Sequence, residues 1–96
     1  MKYFHRTSLP PELVLEAGKR FFGARLAPAE ESARRLAYGG TIGRVSLSAR
    51  AEGGHYTFVE VETDQVGESE LDKLAKRFLV EVHRQVEPAH QVRGAY

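Results

Sequence analysis

The chain has 96 residues, 42% of them hydrophobic and 28% charged, with a formal net charge of +1 at pH 7. A chain of this length forms one domain that buries roughly two-thirds of the surface its unfolded form exposes, and its composition is unlike that of disordered sequences. The absence of Cys excludes disulfides, thiolate catalysis and Cys-based metal centres, while the near-balanced charge excludes a global attraction to nucleic acid or anionic membranes.

No apolar stretch approaches a membrane span, and Met1-Lys2-Tyr3-Phe4-His5-Arg6 has no signal-peptide apolar region, so a cytoplasmic protein with no membrane partner is expected. A first strand is expected over residues 2–9, stopped by Pro10-Pro11, which offer no N–H to a ladder. Pro11 then opens a helix. In it Leu13, Val14, Ala17, Phe21 and Phe22 recur at helical spacing, Glu12 and Glu16 suit the positive end, Lys19 and Arg20 suit the negative end, and Gly23 offers a left-handed cap.

A second, shorter helix is expected over residues 28–38, with Glu30 and Glu31 near its start, Arg34 and Arg35 near its end and Gly39-Gly40 beyond it. The period then changes to two. Over residues 41–51, Val45, Leu47, Ala49 and Ala51 share one face and Arg44, Ser46, Ser48 and Arg50 the other; over residues 56–64, Thr57, Val59, Val61 and Thr63 oppose Tyr56, Phe58, Glu60 and Glu62. A two-residue Gly53-Gly54 turn would set Val45 against Glu62, so a three-residue loop, Glu52-Gly53-Gly54, is expected, pairing Leu47 with Val59 and Val45 with Val61. The last helix begins at Ser69, whose spacing to Asp72 reads as a capping box. It carries the stripe Leu71, Leu74, Ala75, Phe78, Leu79, Val82 and Val86, adds an exposed Asp72–Lys76 pair, and closes at Pro88.

These elements add up to an α+β domain over residues 1–88, a three-stranded antiparallel sheet in the order β-α-α-β-β-α packed on a long C-terminal helix, with residues 89–96 as a tail. The segment Tyr3-Phe4-His5-Arg6-Thr7-Ser8-Leu9-Pro10-Pro11-Glu12-Leu13-Val14, together with the amphipathic helix over residues 69–86, resembles the first strand, first helix and last helix of helix-grip domains, the START-like or Bet v 1-like superfamily that includes polyketide cyclases. The resemblance implies a reduced member that holds an apolar or amphipathic small molecule between the sheet and the terminal helix.

For such a ligand Phe21, Phe22, Phe78, Leu79 and Val82 are the candidate lining, against the simpler reading that they fill the core. The outer sheet face offers a different activity. Arg44, Arg50, Tyr56 and Phe58 make a protein-contact surface, and because a three-stranded sheet has exposed edges a homodimer is expected. Residues 1–51 carry nine basic and four acidic side chains (+5) and residues 52–96 five and nine (−4), halves that complement each other within or between subunits. Single-stranded nucleic acid is disfavoured on the same face, since Glu60, Glu62 and Asp64 would repel its backbone.

No catalytic group, cofactor or metal is expected, and the domain reads as non-enzymatic. His83, Glu87 and His90 lack a recognised ligand spacing, and nothing pairs His5 or His55 with Glu60 or Glu62 as an acid–base couple. Gly40-Thr41-Ile42-Gly43 matches the GxxG of KH domains, but a helix cap followed by the start of a strand accounts for both glycines.

Overall fold

The computed structural model describes the backbone of residues 1–94 and the side chains of residues 1–85. The elements are β1 (Lys2–Thr7), α1 (Pro11–Gly23), β2 (Ala27–Glu31), β3 (Arg35–Gly40), β4 (Gly43–Glu52), β5 (Tyr56–Thr63) and α2 (Glu70–Gly94). The strands form one five-stranded antiparallel sheet in the order β1-β5-β4-β3-β2, and both helices pack on the same face of it. The three-stranded, β-α-α-β-β-α arrangement expected from the sequence is therefore incorrect, because the predicted helix over residues 28–38 is instead the β2–β3 hairpin.

The reason lies in Leu36 and Tyr38. As alternate residues of a strand they point together at the helices and are almost fully buried, with the Tyr38 ring lying on Phe22 at a centroid separation of 6.3 Å. A helix would place them about 200° apart, so only one could reach the core, and that tertiary gain outweighs the local helical preference of the Ala, Glu and Arg residues around them. Ser32 fixes the turn: its N–H and hydroxyl both donate to the Arg35 carbonyl (2.9 and 3.1 Å), and its Oγ accepts from the Arg35 N–H (3.1 Å). Pro28 is tolerated because β2 is an edge strand, with the register shifting between Pro28 and Glu30.

In β1, Tyr3, His5 and Thr7 face the helices while Lys2, Phe4 and Arg6 face outward. The Pro10 carbonyl then accepts from the Leu13 and Val14 N–H groups (3.0 and 3.2 Å), and Pro11 occupies the first turn of α1. That helix buries Val14, Leu15, Ala17, Gly18 and Phe22, whereas Leu13 is exposed, so its buried stripe is displaced from the expected one. Gly23 is not left-handed; the helix ends at Ala24 in right-handed geometry, its N–H donating to the Arg20 carbonyl at 3.3 Å.

The β4–β5 hairpin has a three-residue loop, Gly53-Gly54-His55, with both glycines at positive φ (64° and 77°). Leu47 consequently pairs with Val61, Ala49 with Val59 and Val45 with Thr63, a register two residues away from the one expected. A shift of two preserves the faces, so Val45, Leu47, Val59 and Val61 still lie together in the dry layer under Leu71, Ala75, Phe78 and Val82. Glycines 40 and 43 close the β3–β4 hairpin rather than capping a helix. A Cβ on Gly43, whose φ is +124°, would stand 2.6 Å from Asp64 Oδ1 and 2.7 Å from Gln65 Nε2.

The backbone of α2 stays helical to Gly94, past Pro88, where closure is expected from the sequence, and so through most of the 89–96 segment taken as a tail. Residues 95–96 and the side chains from Val86 onward, including Glu87 and His90 of the candidate metal trio, lie outside the described residues. Among the described residues no helix is long and apolar enough to cross a membrane.

Candidate functional site

The five aromatic and aliphatic residues expected to line a ligand pocket are distributed differently. Phe22, Phe78 and Val82 are wholly buried, while Phe21 and Leu79 are half-buried at the margin of the core. Phe21, Phe22 and Phe78 meet as a compact trio, with centroid separations of 5.1, 5.2 and 5.7 Å, and this contact fills the space between α1 and α2. Beside the trio is only a crevice of about 180 Å³, bounded by Ala17, Arg20, Glu81 and Gln85.

The outer face of the sheet brings Arg50 and Phe58 together, and the structure adds two residues that the sequence did not single out. Phe4 stacks on Phe58 at 5.4 Å, and the guanidinium groups of Arg6 and Arg50 lie 5.1 and 4.9 Å from the Phe58 ring centroid. Tyr56 is exposed at the end of β5, and Arg44 lies away from this cluster, on the far side of Ser46 and Ser48 along β4. Acid–base pairing of His5 with Glu60 or Glu62 is ruled out by the pleat, since His5 faces the helices and both glutamates face outward.

His5 instead meets His83 of α2, edge to face at 6.1 Å. Burial first, and the neighbouring imidazole second, pull the His5 pKa below its ordinary 6.5. No group of three or more His, Asp, Glu or Cys side chains among the described residues could hold a metal ion.

Asp72 is buried, contrary to the exposed Asp72–Lys76 pair expected from the sequence. Its Oδ1 accepts from the Tyr3 hydroxyl and the Thr63 hydroxyl, both at 2.8 Å, and its Oδ2 accepts from the Ser69 hydroxyl, while its own N–H donates to Ser69 Oγ at 3.0 Å. Burial raises the pKa of this carboxyl, but the bonds from Ser69, Thr63 and Tyr3 outweigh it and hold the group below the ordinary carboxylate value. Lys76 turns away to Glu68 (3.4 Å). The Ser69–Asp72 spacing read as a helix start is correct as a cap; that the acid would turn inward was not legible without knowing that Tyr3 and Thr63 lie beneath it.

An opening with a mainly apolar lining is at the end of the molecule where the β3–β4 turn approaches the first two turns of α2. It is a cleft of about 520 Å³ bounded by Arg25, Leu26, Gly40, Thr41, Ile42, Glu70, Lys73, Leu74 and Arg77. Its position is set by close packing: a Cβ on Gly40 would stand 2.9 Å from Leu26 Cδ2, so the hairpin lies directly against the segment leaving α1. Glu70, Lys73, Leu74 and Arg77 follow i, i+3, i+4, i+7 spacing and share one helix face. Of the residues named for this cleft, the sequence marks only Leu74, in the helical stripe, Gly40, as a helix cap, and Thr41 and Ile42, at the start of a strand; that they line one cleft depends on residues 35–40 being a strand. No protein-family model, no curated protein and no solved structure matches the chain.

Proposed function

We propose that this chain is a binding domain that takes an apolar small molecule in the cleft between the β3–β4 turn and α2. One observation carries the reading: buried Leu26 and half-buried Ile42 and Leu74 line an open cleft of about 520 Å³, within the range of small-molecule sites. A site against the last helix is in keeping with the helix-grip resemblance of the N-terminal segment, and membership of that superfamily is part of the proposal. The test is titration with N-phenyl-1-naphthylamine, a neutral apolar fluorophore. Saturable enhancement that Leu74→Glu and Ile42→Glu each abolish supports the reading; enhancement unaffected by both, or none in the parent, overturns it.

A second reading, a homodimer formed through the outer sheet face, is favoured by the Phe4–Phe58 stack, in which Phe4 is 56% exposed. Light scattering decides it: a dimer that Phe4→Lys converts to monomer supports this reading, and a monomeric parent overturns it.

A further inference from the structure

We infer that the molecule bound in the cleft is an organic acid, an apolar body ending in a carboxylate or similar anion held by Lys73 and Arg77. The inference rests on the reading of the cleft as a ligand site and adds the chemical class of its occupant. The cleft is bordered by three cations, Arg25, Lys73 and Arg77, against one acid, Glu70. Lys73 and Arg77 are four apart on α2, an arrangement of like charges that disfavours the helix slightly unless an anion lies between them.

Neighbouring cations of the same helix are paired. Lys76 meets Glu68 at 3.4 Å and Arg84 meets Glu81 at 3.9 Å, whereas the side chains of Lys73 and Arg77 make no ion pair or hydrogen bond among the described residues. Arg25, across the opening, is already oriented: its guanidinium lies 4.2 Å from the Phe21 ring centroid, and its Nη1 donates to the Phe21 carbonyl at 2.7 Å. Other N–H groups of its fork are left to face an anion, at little further loss of side-chain freedom. Leu26, Ile42 and Leu74 supply the apolar surface beside these charges, so the cleft is amphipathic in the sense of an acid with a hydrocarbon body.

The test compares octanoate with octan-1-ol, which share a chain and differ in the charge of the head, by amide chemical-shift titration at neutral pH. Octanoate should bind at least about tenfold more tightly, the worth of one charge-assisted hydrogen bond. In the double variant Lys73→Gln/Arg77→Gln the affinity for octanoate should fall to that for octan-1-ol measured on the same variant. Equal affinity of the two probes, tighter binding of the alcohol, or a preference that survives the double variant overturns the inference while the cleft stands as a site. Failure of both probes to bind contradicts the cleft reading itself.

Discussion

The hydroxyl of Tyr3 donates to the carboxylate of Asp72 at 2.8 Å and so joins the first strand to the first turn of the last helix, elements 69 residues apart in the chain. Thr63, at the end of β5, makes a bond of the same length to the same oxygen. One buried carboxylate thus gathers the two strands that carry α2, and the cleft depends on the helix being held there.

Replacing Asp72 by Ala leaves the hydroxyls of Tyr3, Thr63 and Ser69 without their acceptor in a dry site. The expected loss is about 2–4 kcal/mol of unfolding free energy, read by urea denaturation. A change under about 0.5 kcal/mol would show that the network contributes nothing net. Because the folded pKa of Asp72 lies below the unfolded 3.8, its contribution is fully present above that value and is lost as pH falls through the lower folded pKa. Acid unfolding of the parent should therefore include a component that Asp72→Ala lacks.

His5 titrates in a different window. Its folded pKa lies below the ordinary 6.5, so the neutral ring is favoured in the folded protein. Its contribution is present above 6.5 and is lost as pH falls through the folded value, burial and then the neighbouring His83 ring opposing protonation of His5. Stability measured from pH 7 to pH 5 should fall less in His5→Gln than in the parent; equal slopes would contradict the electrostatic account of this pair.

Leu36 separates the strand from the helix expected at residues 28–38. It is fully buried against the core, and a Cβ on Gly18 of α1 would stand 3.4 Å from its Cδ1 and 2.2 Å from Leu47 Cδ2. Leu36→Ala should reduce stability by about 2–4 kcal/mol, and Gly18→Val should be destabilising because the added methyls meet packed side chains. Small effects of both would mean that α1 does not rest on β3 and β4.

The β4–β5 register can be read directly. Cross-strand backbone NOEs should connect Leu47 with Val61 and Ala49 with Val59. NOEs joining Leu47 to Val59 would support the register expected from the sequence.

Period-two and period-3.6 patterns were enough to find β4, β5, α1 and the start of α2, because each buries several apolar residues at regular spacing. They failed at β2 and β3, where Leu36 and Tyr38 alone mark the strand and residues 27–31 are all exposed. A short edge strand with no buried face leaves almost no periodic signal. The hairpin parity was legible because acids cannot face the core, but a slip of two satisfies the same condition, so the choice fell to the conformation of Gly53 and Gly54. The cleft was hidden for a related reason: Ile42 and Leu74 line one opening only when the β3–β4 hairpin exists.

The most direct test of the account is an amide chemical-shift map with octan-1-ol, read residue by residue. The account predicts saturable shifts centred on Leu26, Thr41, Ile42 and Leu74, with Phe4 and Phe58 on the opposite face unmoved. Shifts confined to Phe4 and Phe58, or no saturable shift at any residue, would contradict it.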